Sequence, residues 1–343
     1  MMSVPVASHA FDLDLGPVTT GGGALLPHAS LRYRTWGDPA LGRRNGWILI
    51  VHALTGNADV DAWWDDIIGP GRPIDTDRHA VVAANLLGSC YGSTGPASEP
   101  YASGVPFPRL DTADLARAHF PLFAHLGIER LALVTGASLG GMVVLQVGRL
   151  SPVPIDRLVV FAAPATTSPQ TIAWNAAQRM AIESDPRWRG GQVQADDPPA
   201  AGLAAARAIA MITYRSPFEF EQRFARSRSG NGSTFAIEQY LRRHGEKLVE
   251  RFDARSYVAL THSMDQHSVG DFAVAARETA SRVGRVTGVG VDTDILYPAL
   301  EVRAWVDAYV TAGANADYRE IRSACGHDAF LIEFDQVRDI LRG

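Results

Sequence analysis

Short, unbroken apolar runs punctuate the first half of the chain. Residues 47–52 (WILIVH), 79–86 (HAVVAANL), 131–135 and 158–163 are such runs, and residues 31–36 also read as a strand. Runs without alternation point to strands buried on both faces. Between them, residues 112–126 have helical spacing at Leu115, Ala118, Leu122, Phe123 and Leu126, and Pro121 is predicted to kink or split that helix. Residues 141–150 read as an apolar helix. Apolar strands separated by helices predict an α/β fold: a mainly parallel sheet with helices on both faces.

The pattern changes after Pro164. Helical candidates follow one another at residues 170–182, 199–214, 218–226, 237–249, 254–264 and 271–282, with Pro and Gly between several of them. Strand-like segments return at 286–291 and 318–321, with a helix at 300–312 between them. This predicts a core domain of residues 1–165 and 285–343, interrupted by a helical insertion at 166–284. An insertion beyond the C-terminal ends of the strands would cover a site there as a lid.

Composition narrows the classes. A chain of 343 residues can form a core domain with a sizeable insertion. The net charge of −5 provides no basic field, so no nucleic-acid partner is expected. No apolar run is long enough to span a bilayer, and residues 1–15 lack the basic start and apolar stretch of a secretory signal. No membrane partner is therefore expected. Cys90 and Cys325 are the only cysteines, too few for a disulfide framework, and a reducing cytoplasm is the expected location.

Candidate chemistry begins at Gly136-Ala137-Ser138-Leu139-Gly140, which fits Gly-x-Ser-x-Gly between a predicted strand and a predicted helix. A serine on such a tight turn is pushed out toward a substrate, and the helix start offers N–H groups to a developing negative charge. A serine nucleophile needs an oriented base, and in folds with this elbow the acid and then the histidine follow the serine. His327, in a glycine-containing loop after the last strand, is the candidate base. Asp292 and Asp294 both stand at the end of the preceding strand, and pattern alone does not separate them; Asp294 is favoured because it directly precedes Ile295-Leu296. The expected oxyanion donors are the backbone N–H groups of Leu139, after the serine, and Leu54, in the loop after an early strand. His52 is expected to hold that loop, and Trp63-Trp64 to pack. No phosphate-loop or zinc signature occurs, and no metal is expected.

The chain resembles the homoserine O-acetyltransferase family of α/β-hydrolase fold enzymes. The matching pieces include His52-Ala53-Leu54-Thr55-Gly56, Trp63-Trp64, Asn85-Leu86-Leu87-Gly88, Ser138-Leu139-Gly140-Gly141-Met142, Asp185-Pro186-Arg187-Trp188, Ile212-Thr213-Tyr214-Arg215-Ser216, Arg251-Phe252-Asp253-Ala254 and Gly326-His327-Asp328-Ala329-Phe330. The resemblance implies transfer of an acetyl group from acetyl-CoA to the hydroxyl of L-homoserine in methionine biosynthesis. It implies a catalytic triad of Ser138, Asp294 and His327, no bound cofactor, and acetyl-CoA as co-substrate. It also implies that Arg207 and Asp328 bind the amino-acid substrate, and that the protein is a homodimer joined through the lid helices.

Some positions depart from the family pattern. Ala137 stands where many members have Gly, and Val143-Val144-Leu145-Gln146-Val147-Gly148 replaces a more usual Gln-Ala-Leu-Glu-Trp run. Asn57-Ala58-Asp59-Val60 lacks a common histidine, and Ser268 replaces a common Asp. These leave succinyl-CoA as donor, L-serine as acceptor, and an esterase or thioesterase that uses water, as alternative readings.

Overall fold

The apolar runs form the middle of one eight-stranded sheet in the computed structural model, which describes residues 10–230 and 232–343. Its strands are β1 (Ala10–Thr19), β2 (Leu25–Trp36), β3 (Trp47–Val51), β4 (Val81–Ala84), β5 (Leu131–Ala137), β6 (Ile155–Phe161), β7 (Val283–Val291) and β8 (Ala316–Ile321). Their order across the sheet is β1-β2-β4-β3-β5-β6-β7-β8. The pairs β1–β2 and β2–β4 are antiparallel, and all other pairs are parallel. Every residue of β3 and β4 is buried, as expected of strands covered by helices on both faces.

β1 and the first half of β2 were not expected. Phe11, Leu13 and Leu15 alternate with Asp12 and Asp14, the period of a half-buried strand, and the Asp12 carboxylate meets the Arg32 guanidinium across the pair at 2.8 Å. Part of the 1–15 segment read for a secretory signal lies outside the described residues.

The helix expected at 112–126 is split into α1 (Thr112–Arg117) and α2 (Phe120–Leu126). Asp111 caps α1, and Pro121 sits in the first turn of α2, where its missing N–H costs no hydrogen bond. After β5 comes α3 (Leu139–Leu150). Between β6 and β7 lie α4 (Pro169–Glu183), α5 (Ala200–Tyr214), α6 (Pro217–Phe224), α7 (Ala236–Val249), α8 (Ala254–Asp265) and α9 (Phe272–Ala280). Ser168, Ser216, Asp253 and Asp271 each accept a backbone N–H at the start of α4, α6, α8 and α9. α10 (Ala299–Thr311) links β7 to β8, and α11 (Phe334–Arg342) closes the described chain.

The helical segment divides by its contacts. α5 packs between α4 and α7 and touches the short turn Gly326–Leu331 beyond β8. α9 packs instead on α3 and α10, in the helix layer of the sheet. Its apolar face (Ala275, Ala276, Thr279) is buried, which places its packing with the core layer despite its position within 166–284. Among the described residues no helix is long and apolar enough to cross a membrane.

β3 and the start of α3 meet backbone to backbone. A Cβ at Gly140 would lie 2.2 Å from the Val51 carbonyl oxygen, and one at Gly136 would lie 2.7 Å from the same oxygen. Gly140→Ala should therefore destabilise the fold by at least about 1–3 kcal/mol, the usual cost of overpacking. Urea unfolding should show a lower midpoint at unchanged slope. An unchanged midpoint would mean that this contact can relax freely.

Candidate active site

Ser138 is the corner between β5 and α3. Its backbone has φ 57° and ψ −126°, a conformation that costs a non-glycine residue about 1–3 kcal/mol. Two hydrogen bonds hold the corner: Ser138 N–H donates to Phe161 O at 3.0 Å, and Met142 N–H donates to Ser138 O at 3.0 Å. The glycines at 136 and 140 are dictated by the Val51 carbonyl, and Gly141 by the Ala163 side chain, 2.7 Å from where a Cβ would be. Leu139 opens the helix, so its N–H has no carbonyl partner one turn back within α3.

His327 lies in the turn beyond β8 and is almost wholly buried. Gly326 permits the approach: its φ is 71°, and a Cβ there would lie 2.7 Å from Ser216 N. The Ser216 hydroxyl donates to Ala324 O, tying the start of α6 to the same turn. His327 Nδ1 meets Asp294 Oδ2 at 2.7 Å. The other Asp294 oxygen accepts the N–H groups of Leu296 at 2.8 Å and Tyr297 at 3.0 Å, so this carboxylate is fixed in orientation. Asp292 instead accepts Ser323 N–H at 3.0 Å, so it acts as a turn residue.

Burial alone would push the His327 imidazole below its ordinary value. The Asp294 charge and hydrogen bond, with the Asp328 charge beside it, outweigh burial and hold it above that value. The rings of Tyr297, Tyr214 and Phe330 pack around it with centroids 5.2, 5.7 and 5.7 Å away. His327 Nε2 is buried and makes no hydrogen bond, so the Ser138 hydroxyl and the ring are not joined in this conformation. Contacts of this kind often close only around a bound substrate.

Ser138 and His327 line one cavity of about 500 Å³, within the range of small-ligand sites. Leu54, Arg207 and Asp328 line it too. Leu54 follows β3, and its N–H donates to no group among the described residues. Arg207 comes from α5. Its guanidinium stands 5.2 Å over the Tyr214 ring and forms no ion pair among the described residues. Asp328 is less free: Arg215, which also meets Glu219 at 3.2 Å, contacts Asp328 Oδ2 at 3.1 Å. Asp294 lies behind His327, fully buried, outside the cavity wall.

The sequence reading did not single out Arg251 or Tyr91, which also line the cavity. Arg251 donates to Thr55 O at 2.7 Å and to the Tyr91 hydroxyl at 2.6 Å. Both residues lie far apart in sequence, and no local pattern signals their meeting. Both tryptophans of the pair line the cavity, and Trp64, which is fully buried, also donates to Phe330 O at 3.0 Å.

The model of the family described as alpha/beta hydrolase fold matches residues 46–333. A homoserine O-acetyltransferase of Trichormus variabilis is 41% identical over 333 residues, which cover 95% of this chain and 90% of that protein. One from Thermus thermophilus is 43% identical over 347 residues, covering 93% of this chain and 86% of the relative. Among solved structures, a homoserine O-acetyltransferase from Bacillus anthracis superimposes with a TM-score of 0.87 at 23% identity, over 98% of this chain and 96% of that one. Esterase E22 superimposes with a TM-score of 0.88 at 21% identity, over 98% and 99% of the two chains. At such identities the two superpositions speak to the fold alone. With the extent and identity of the sequence matches, they mean that this chain belongs to the homoserine O-acetyltransferase family of the α/β-hydrolase fold.

Proposed function

We propose that this protein moves an acetyl group from acetyl-CoA to the side-chain hydroxyl of L-homoserine through an acetyl-serine intermediate, as a step of methionine biosynthesis. The observation that carries this reading is the shared cavity. It holds a strained serine, an imidazole already paired with a buried carboxylate, and an arginine without an ionic partner among the described residues.

In the first half-reaction the Ser138 hydroxyl oxygen attacks the thioester carbonyl and its proton passes to His327 Nε2. The N–H groups of Leu54 and Leu139 receive the oxyanion. The carbon–sulfur bond then breaks, and coenzyme A leaves with the proton from His327. In the second, the homoserine hydroxyl gives its proton to His327 and attacks the acetyl-serine carbonyl. The bond to Ser138 Oγ breaks, the proton returns to Ser138, and O-acetylhomoserine departs. Asp294 keeps Nδ1 protonated throughout and stabilises the imidazolium without taking its proton.

The acceptor is held by charge. The Arg207 fork suits a carboxylate, and Asp328 suits an ammonium group, which would share it with Arg215. Two guanidiniums line the cavity: Arg207, and Arg251, which spends Nη1 on Thr55 O and the Tyr91 hydroxyl. The helices α4–α8 act in this reading as a lid that limits water, so that transfer outruns hydrolysis. They expose Met180, Ile212 and Phe218, apolar surface that a second copy would cover in a homodimer. The two free thiols suit a reducing cytoplasm.

Thiol release from acetyl-CoA beyond one equivalent per site should require an acceptor, show ping-pong kinetics, and vanish in Ser138→Ala. Continuous release without acceptor would indicate a hydrolase instead, and faster turnover with succinyl-CoA or L-serine would reassign donor or acceptor. Arg207→Ala should raise KM for homoserine about 10–100-fold, the worth of a charged hydrogen bond, and leave KM for acetyl-CoA near its starting value. A shift in both constants would argue against a carboxylate clamp.

The acid side of the pH profile tests His327. The base must be neutral, and its proton is held more tightly than usual, so kcat/KM should fall as pH drops through a value above 6.5. Asp294→Asn removes the larger of the influences that raise it and leaves burial, which lowers it, opposed by the Asp328 charge alone. That limb should move to lower pH, with kcat down by about 10³–10⁴-fold. A limb that stays put would mean that Asp294 does not govern the base.

A further inference from the structure

The peptide unit between Ala53 and Leu54 is trans, so the Leu54 N–H points away from the Ala53 carbonyl. Whatever grips that carbonyl therefore aims that N–H. Two groups grip it: Gly56 N–H donates to Ala53 O at 2.9 Å, and His52 Nδ1 lies 2.8 Å from the same oxygen.

The protonation of His52 follows from its other contact. Leu86 N–H lies 3.0 Å from His52 Nε2 and can only donate, so Nε2 is the acceptor. The single ring proton of the neutral imidazole is then on Nδ1 and donates to Ala53 O. Burial keeps the ring neutral, pushing it down to about 4, with the Ala53 contact opposing and nearby His119 adding to the shift. The ring is 1% exposed, so nothing in solvent competes for either nitrogen. Gly56 adds to the constraint, since a Cβ there would stand 3.1 Å from the His52 Cβ.

We infer that His52 is a positioning residue for the acyl-transfer step, one that orients the Ala53–Leu54 peptide so that the Leu54 N–H faces the oxyanion. It touches neither substrate nor reacting atoms. It rests on the reading of Leu54 as an oxyanion donor, and it separates two tasks within one ring: Nδ1–H aims the peptide, while Nε2 braces the loop against Leu86.

Two substitutions separate those tasks. In His52→Asn the amide nitrogen stands where Nδ1 was, so the grip on Ala53 O is kept and the Leu86 brace is lost. In His52→Gln the amide oxygen reaches the place of Nε2, so the brace is kept and the grip is lost. The acylation rate is read from the stopped-flow burst of p-nitrophenol from p-nitrophenyl acetate, alongside KM and thermal melting. Removing an oxyanion donor outright costs about 10²–10³-fold, so H52Q should acylate about 10–100-fold slower with KM little changed, and H52N at least about tenfold faster than H52Q. The order should hold even if H52N melts lower. Equal rates in H52Q and wild type, or rates that simply follow the melting temperatures, would overturn the inference. If H52Q does not fold, His52→Ala, which lacks both bonds, takes its place in the comparison with H52N. Absence of a burst in the wild type, or its survival in Ser138→Ala, would instead overturn the acyl-serine reading itself.

Discussion

The carbonyl oxygen of Val51 occupies the space that side chains at Gly136 and Gly140 would need. That single steric constraint joins the end of β3 to the corner between β5 and α3. It brings the loop beginning at His52 alongside the turn that carries Ser138. The cost is a strained backbone at Ser138, offset by the buried parallel strands on either side. A side chain on either glycine would force the two loops apart.

Two buried histidines then receive opposite treatment from the same low-dielectric surroundings. His52 has only neutral backbone partners, and burial drives it down to about 4. His327 is equally enclosed, but the Asp294 carboxylate and the charge of Asp328 lift it above its ordinary value. The difference in role follows from the partner and not from depth. A ring bound to two backbone groups is a fixed strut, and a ring bound to one carboxylate with its far nitrogen unpartnered can accept a proton.

The parallel core was legible because its strands are unbroken apolar runs. The corner was legible because Gly-x-Ser-x-Gly sits between one such run and a helix. The N-terminal strand was missed although Phe11, Leu13 and Leu15 alternate with two aspartates. Its signal has period two and only modest hydrophobicity. The split at Pro121 was anticipated, since proline is tolerated only in a helix's first turn. Pattern left Asp292 and Asp294 equivalent. Only the folded loop turns one toward Ser323 N–H and the other toward His327.

Contacts between distant segments were the least legible. Arg251 follows α7 and reaches Thr55 O beside the candidate oxyanion loop, while Arg215 follows α5 and reaches Asp328 beside the candidate base. In sequence each is one arginine among many. In the fold each runs from the helical segment to a residue next to one half of the candidate machinery. The helical segment is thus joined to two loops that line the cavity, by Ser216 to Ala324 as well as by these arginines. A motion that opened the helices would pull on the loop beside Leu54 and the turn bearing His327 together. Linkages of this kind let the movement of a helical segment and the positioning of the loops beneath it occur together.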